Sequence, residues 1–265
     1  MDKEVSRENA MNSCESMEMS EEERSFYEDA FTSEEMEEAT DDESLSGKKY
    51  DFLYEEALKE LTAQMVSVTA LQYGTKDQGE YTVEDYYALP DDQRVELIDG
   101  FFFDMEAPGF MHQRAVGEIY RQIANYITDP QGSCLPFVAP VDVRLDCNNR
   151  TMVQPDVGIV CDRDKVKRWG IYGAPDFLIE VLSPSTQMKD RLIKKSKYRD
   201  AGVREYWMVD LRKRRVLVFV FESVIDKGEP AIYGLGDHIP VRIYGGDLAV
   251  DMSAMLPWAG EEYPE

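Results

Sequence analysis

The tightest constraint in this sequence is the run DFLIEVL, residues 176–182, which is apolar at both alternating sets of positions. A strand with no polar face must be covered on both sides, so this run predicts the centre of a sheet. It also carries a carboxylate, Glu180, where water is excluded. Two further runs share this trait: VELI holds Glu96 and QPDVGIV holds Asp156. A buried carboxylate without a partner costs several kcal/mol, so each of the three must meet a cation or keep its proton. Three separate salt bridges would satisfy that requirement. Convergence on one point would satisfy it too, and would make an oxygen cage suited to Mg²⁺ or Mn²⁺.

The surrounding segments frame these strands. Thr82-Val83-Glu84-Asp85 predicts a capping box opening a short helix that Pro90 ends. RVELIDGFFFDME predicts a hairpin about Asp99-Gly100, a dipeptide suited to tight turns. Ala115, Val116, Ile119, Ile123 and Ile127 mark one apolar face of a helix over 113–128. LPFVAPVDVRLD, MVQPDVGIVCD and PDFLIEVLSP read as strands, and 187–201 as a helix closed by Gly202. EYWMVDL and RVLVFVFES are two more strands. The order of helix, strands, helix and strands predicts a mixed sheet flanked by helices.

Charge divides the chain. It holds 53 Asp+Glu against 29 Lys+Arg, for a formal charge of -24. Residues 1–47 carry 17 of the acids and 3 of the bases, with no sustained apolar periodicity. Self-repulsion and scarce apolar surface predict a disordered acidic tail there, solvated or binding a partner. A helix is expected over 48–74, and a folded domain over 75–265. No stretch of about 18 apolar residues is present, so no transmembrane helix is expected. The N-terminus reads as neither a signal nor a transit peptide. Four cysteines without CxxC spacing argue against structural zinc, and a reducing cytoplasm is the expected location.

The array of Pro-Asp and Glu on successive strands, followed by a lysine-bearing helix, resembles the PD-(D/E)XK nuclease superfamily. More specifically, the stretch from Tyr81 to Phe221 resembles the Uma-type putative restriction endonuclease family. The matching pieces are YTVEDYYALPDDQRVELIDG, the His112 helix, PVDVRLD, QPDVGIV, GAPDFLIEVLSPST, KD…K…Y and GVREYWMVD. The resemblance implies an α/β, restriction-endonuclease-like mixed β-sheet flanked by helices. It further implies an endodeoxyribonuclease that hydrolyses phosphodiester bonds with Mg²⁺ or Mn²⁺.

Carried over residue by residue, Asp156 and Glu180 become metal ligands and catalytic residues, with Glu96 as a third acid completing the cage. The superfamily lysine two positions after the second acid is absent, since Leu182 stands there. The Uma-type pattern puts the lysine on the following helix, at Lys194, with Lys195 and Lys197 as rivals. His112 is implied to orient phosphate or shuttle a proton. Asp142 fits a place near the site or a structural role equally well, and Ser183 could bond a ligand carboxylate. Tyr198, Tyr206 and Trp207 read as core. A DNA partner must reckon with 36 acids against 26 bases beyond residue 47, although basic clusters flank the proposed acids. A homodimer is expected, because two-fold symmetry matches two strands. A catalytically silent module that keeps the fold, or acts through its acidic tail, is the rival reading.

Overall fold

The computed structural model describes residues 76–90, 93–128, 133–183, 189–221 and 230–256. The expected acidic tail (1–47) and the helix expected at 48–74 lie outside them. Helix α1 (Val83–Ala88) opens on the expected capping box, with Thr82 and Asp85 exchanging side-chain and backbone hydrogen bonds. Strands β1 (Val95–Ile98) and β2 (Phe101–Asp104) form the expected hairpin. Its turn places Asp99 at φ 52° and Gly100 at φ 88°, which is why Asp-Gly belongs there.

Helix α2 (Phe110–Tyr126) begins three residues before its expected start. It is followed by β3 (Leu135–Val138), β4 (Asp142–Arg144), β5 (Val157–Val160), β6 (Gly170–Tyr172) and β7 (Phe177–Val181). A π-helical turn (Lys189–Lys194) leads into α3 (Lys195–Ala201), closed by Gly202 in the left-handed conformation. Strands β8 (Glu205–Asp210), β9 (Arg215–Val220) and β10 (Ala231–Gly234) complete the main sheet. β11 (His238–Pro240) and β12 (Ala249–Asp251) form a small ribbon.

The main sheet has the order β10-β9-β8-β7-β5-β3, with β7 and β8 parallel and the other pairs antiparallel. It is the mixed sheet expected, and β7 is central and wholly buried. Its residues alternate between two faces. Phe177, Ile179 and Val181 join Ala115, Val116, Ile119 and Ile123 of α2 in one apolar core. Leu178 and Glu180 point to the other face, where α3 brings Tyr198.

One expected strand divides. LPFVAPVDVRLD becomes β3 in the main sheet and β4, which pairs with β6 in a separate two-stranded sheet. The Ala139 N–H still bonds the Asp156 carbonyl as the next rung of the β3–β5 ladder, and Pro140, which has no N–H, cannot extend it. Cys134 and Cys161, just outside β3 and β5, are joined by a disulfide. Among the described residues no helix is long and apolar enough to cross a membrane.

Candidate active site

Four carboxylates, two lysines and a histidine meet at one end of β7, on and around its α3 face. The β5–β7 register sets Val157 opposite Ile179, so Asp156 stands opposite Glu180 as the strands continue. Glu180 is held on β7 with its side chain almost wholly buried. Its Oε1 accepts from Lys194 Nζ at 2.8 Å and from the Tyr198 hydroxyl at 2.7 Å. Asp156 Oδ2 accepts from the Val181 N–H at 2.8 Å and lies 3.2 Å from Nε2 of His112, in the first turn of α2.

Glu96 arrives from the β1–β2 hairpin and is completely buried. Its Oε1 accepts from the Gln154 N–H at 3.0 Å and lies 2.9 Å from Lys194 Nζ, while Oε2 accepts from Lys189 at 2.7 Å. Both oxygens are therefore engaged by donors. Asp190, four residues before Lys194 on the π-helical turn, completes the lysine's surroundings at 3.3 Å. Its Oδ1 is buried and has no hydrogen-bond partner among the described residues, and the same is true of His112 Nδ1.

Electrostatics follow from this crowding. Burial pushes the Glu180 carboxyl up, Lys194 opposes that, and Asp190, Asp156 and Glu96 add to the rise, leaving it at about 8. Burial would raise Glu96 as well, but Lys189 and Lys194 override it and hold it well below the usual carboxylate range. Burial would lower Lys194, yet Glu180 and Glu96 hold its ammonium well above its ordinary value. For His112 burial again disfavours charge, and the hydrogen bond and charge of Asp156 reverse it, so the imidazole is raised. Negative charge exceeds what the two lysines neutralise. The arrangement can take up a further cation or a proton.

The structure brings together Glu96, His112, Asp156, Glu180 and Lys194, which the sequence had placed on five separate segments. Lys197 does not join them: its Nζ lies 2.8 Å from Asp99 and 2.6 Å from Asp146, pinning α3 to the β1–β2 turn. Lys195 lies over the Phe219 ring, 4.8 Å from its centroid. Asp142 accepts from the Tyr86 hydroxyl and from Gln154, whose backbone in turn holds Glu96. Lys189, Asp190 and Tyr198 stand in the KD…K…Y piece of the resemblance, but the reading of the sequence assigned them no part in the site. The first two sit in a basic helix, and Tyr198 read as core, whereas its hydroxyl bonds Glu180. Among the described residues no group of three or more Asp, Glu, His or Cys side chains is arranged to close on a metal ion.

Set beside known proteins, residues 83–240 match a family described as Uma2, putative restriction endonuclease. A crystal structure of a putative nuclease belonging to DUF820 from Anabaena variabilis is similar, with 19% identity and a TM-score of 0.53. The match covers 67% of this chain and 98% of that one. At that identity the two share a fold. No curated protein matches the chain.

Proposed function

Because the chain belongs to the Uma2 family of putative restriction endonucleases, we propose that it hydrolyses phosphodiester bonds in DNA with Mg²⁺ or Mn²⁺ held by Asp156 and Glu180. One observation carries this reading: the buried Lys194 ammonium sits within 3.3 Å of Glu180, Glu96 and Asp190, beside the Asp156–His112 pair. Such a concentration of carboxylate around one end of a central strand is costly to keep for stability alone.

The donor set fits a hard divalent cation. Mg²⁺ is usually held by one or two carboxylates with several waters, so the opposed Asp156 and Glu180 suffice. Asp190 Oδ1, which accepts no hydrogen bond among the described residues, faces the Lys194 ammonium at 3.3 Å. When bound, the cation supplies Lewis acidity and a more acidic water. Glu96 plays a different part. With both oxygens on Lys189, Lys194 and the Gln154 N–H, it holds the two ammonium groups in place. Lys194 stabilises negative charge that develops on the phosphoryl oxygens. Tyr198 fixes the Glu180 carboxylate through its hydroxyl. His112, oriented at Nε2 by Asp156, orients a phosphate oxygen or carries a proton through Nδ1. The catalytic unit spans 75–265, working as a homodimer, and the acidic segment 1–47 is dispensable for hydrolysis.

The test is cleavage of single- and double-stranded DNA with Mg²⁺ or Mn²⁺, beside an Asp156→Ala control and a chain lacking 1–47. Metal-dependent cleavage lost in Asp156→Ala and retained without the tail supports the reading. Mn²⁺ binding without cleavage would favour the silent module. Absence of both would end the nuclease reading.

A further inference from the structure

Away from the carboxylates, between Arg163 and Tyr172, the chain carries four cations and one acid, against the acidic balance of the rest. The segment folds into a tight hairpin: Val166 bridges Ile171, the Lys167 N–H bonds the Gly170 carbonyl, and the Gly170 N–H bonds that of Lys167. Arg168 and Trp169 are thus the two residues at its tip. A tryptophan there is costly to hydrate, yet Trp169 is 42% exposed. Tyr87 of α1, 53% exposed, meets it edge to face with ring centroids 6.5 Å apart. Tyr172 of β6 is 37% exposed, and the Arg144 guanidinium lies 5.5 Å from its ring centroid. The hairpin is locked against β4, because a Cβ on Gly170 would run into the Asp142 carbonyl.

The platform is joined to the site by short links. The Tyr86 ring packs on Tyr87 at 5.4 Å, and its hydroxyl bonds Asp142 Oδ1. Gln154 bonds both of those groups through Nε2, and its own N–H bonds Glu96. Two perpendicular rings form a corner that accepts the flat face of a base. Flanking guanidinium and ammonium groups are what a phosphate backbone needs, and stacking tolerates any base. In paired DNA these faces are already stacked on one another.

We propose that Tyr87, Trp169 and Tyr172, with Arg144, Lys167 and Arg168, form a stacking platform that holds an unpaired DNA strand beside the carboxylate site. This deepens the nuclease reading and rests on it for the identity of the ligand. Asp162 and Asp164, at the base of the hairpin, limit the charge there and leave the rings as the main source of grip.

The experiment is fluorescence anisotropy of a labelled oligo(dT) and of a labelled duplex, titrated with the full chain in EDTA so that no hydrolysis intrudes. The expected result is tighter binding of oligo(dT) than of duplex. Trp169→Ala and Tyr87→Ala should each weaken oligo(dT) binding on the order of tenfold, with Trp169→Phe recovering most of the loss. Arg168→Ala should flatten the dependence on log salt by about 0.7. Unchanged affinity in both ring variants overturns the proposal, as does preference for duplex or for oligo(rU). A change of mass by sedimentation in Trp169→Ala would make the patch a self-association surface instead. The two readings fail separately: binding that follows the rings without any cleavage in Mg²⁺ sinks hydrolysis alone, and cleavage that Trp169→Ala leaves unaltered sinks the platform alone.

Discussion

The two faces of strand β7 solve opposite problems within five residues. On the α2 side, Phe177, Ile179 and Val181 enter an apolar core, and the buried Glu205 on β8 accepts from an N–H donor at each of its oxygens. The Trp207 indole donates at 2.7 Å and the Ile243 N–H at 3.0 Å. On the α3 side, Glu180 shares the Lys194 ammonium with Glu96 and Asp190, so three carboxylates crowd one lysine. The first face is built from contacts that favour folding. The second accepts buried charge that an apolar packing would avoid, which is the pattern of a face kept for chemistry.

The largest break in this contrast comes from Lys194→Ala. Removing the ammonium leaves Glu96, Glu180 and Asp190 short of countercharge, so denaturant unfolding should show a loss of about 3–5 kcal/mol. In the fraction that remains folded, kcat should fall on the order of 10²–10³-fold. If stability and kcat were both unaffected, the α3 face would carry no more strain than the other.

Ile179→Ala, on the opposite face of the same strand, sharpens the comparison. A buried truncation there should cost about 2–5 kcal/mol by denaturant unfolding. Activity per folded molecule should be retained, since the residue touches none of the charged groups. A matching loss of kcat would mean that the two faces are mechanically coupled.

The pH dependence of stability separates the faces by sign. Glu180 is raised from 4.5 to about 8, so between those values the folded chain binds the proton that the unfolded chain has released. Its contribution is therefore fully present below about 4.5 and is lost as pH rises through about 8. Measured without metal, the wild type should lose stability across that window relative to Glu180→Gln, in which this contribution is missing. Added Mn²⁺ should flatten the wild-type slope, because a cation replaces the proton. An identical slope in the two proteins would show that Glu180 is ionised throughout.

The smallest expected effect lies on neither face. Thr82→Ala removes one half of the α1 capping box and should cost about 1 kcal/mol in thermal or denaturant unfolding. A much larger loss would mean that α1 is a structural keystone rather than a short capped helix.

Local devices were legible in the chain itself. The Asp-Gly turn, the Thr82–Asp85 box and the Gly202 cap rest on interactions among near neighbours, so the sequence states them directly. The central strand was legible because an apolar run tolerates no solvent on either side, and Glu96, Asp156 and Glu180 stood out as carboxylates where none belongs. The tertiary structure decided who meets them. Lys189, Asp190 and Tyr198 join the cluster because a π-helical turn faces three strand ends drawn from distant segments, and no spacing in the sequence encodes that approach. Whether Glu96 shared a cation with the other acids or met its own partners was likewise open in the sequence, because a carboxylate's role is set by what lies within about 3 Å of its oxygens. The division of LPFVAPVDVRLD between two sheets has the same origin: periodicity marks which residues are apolar, and packing chooses which sheet receives them.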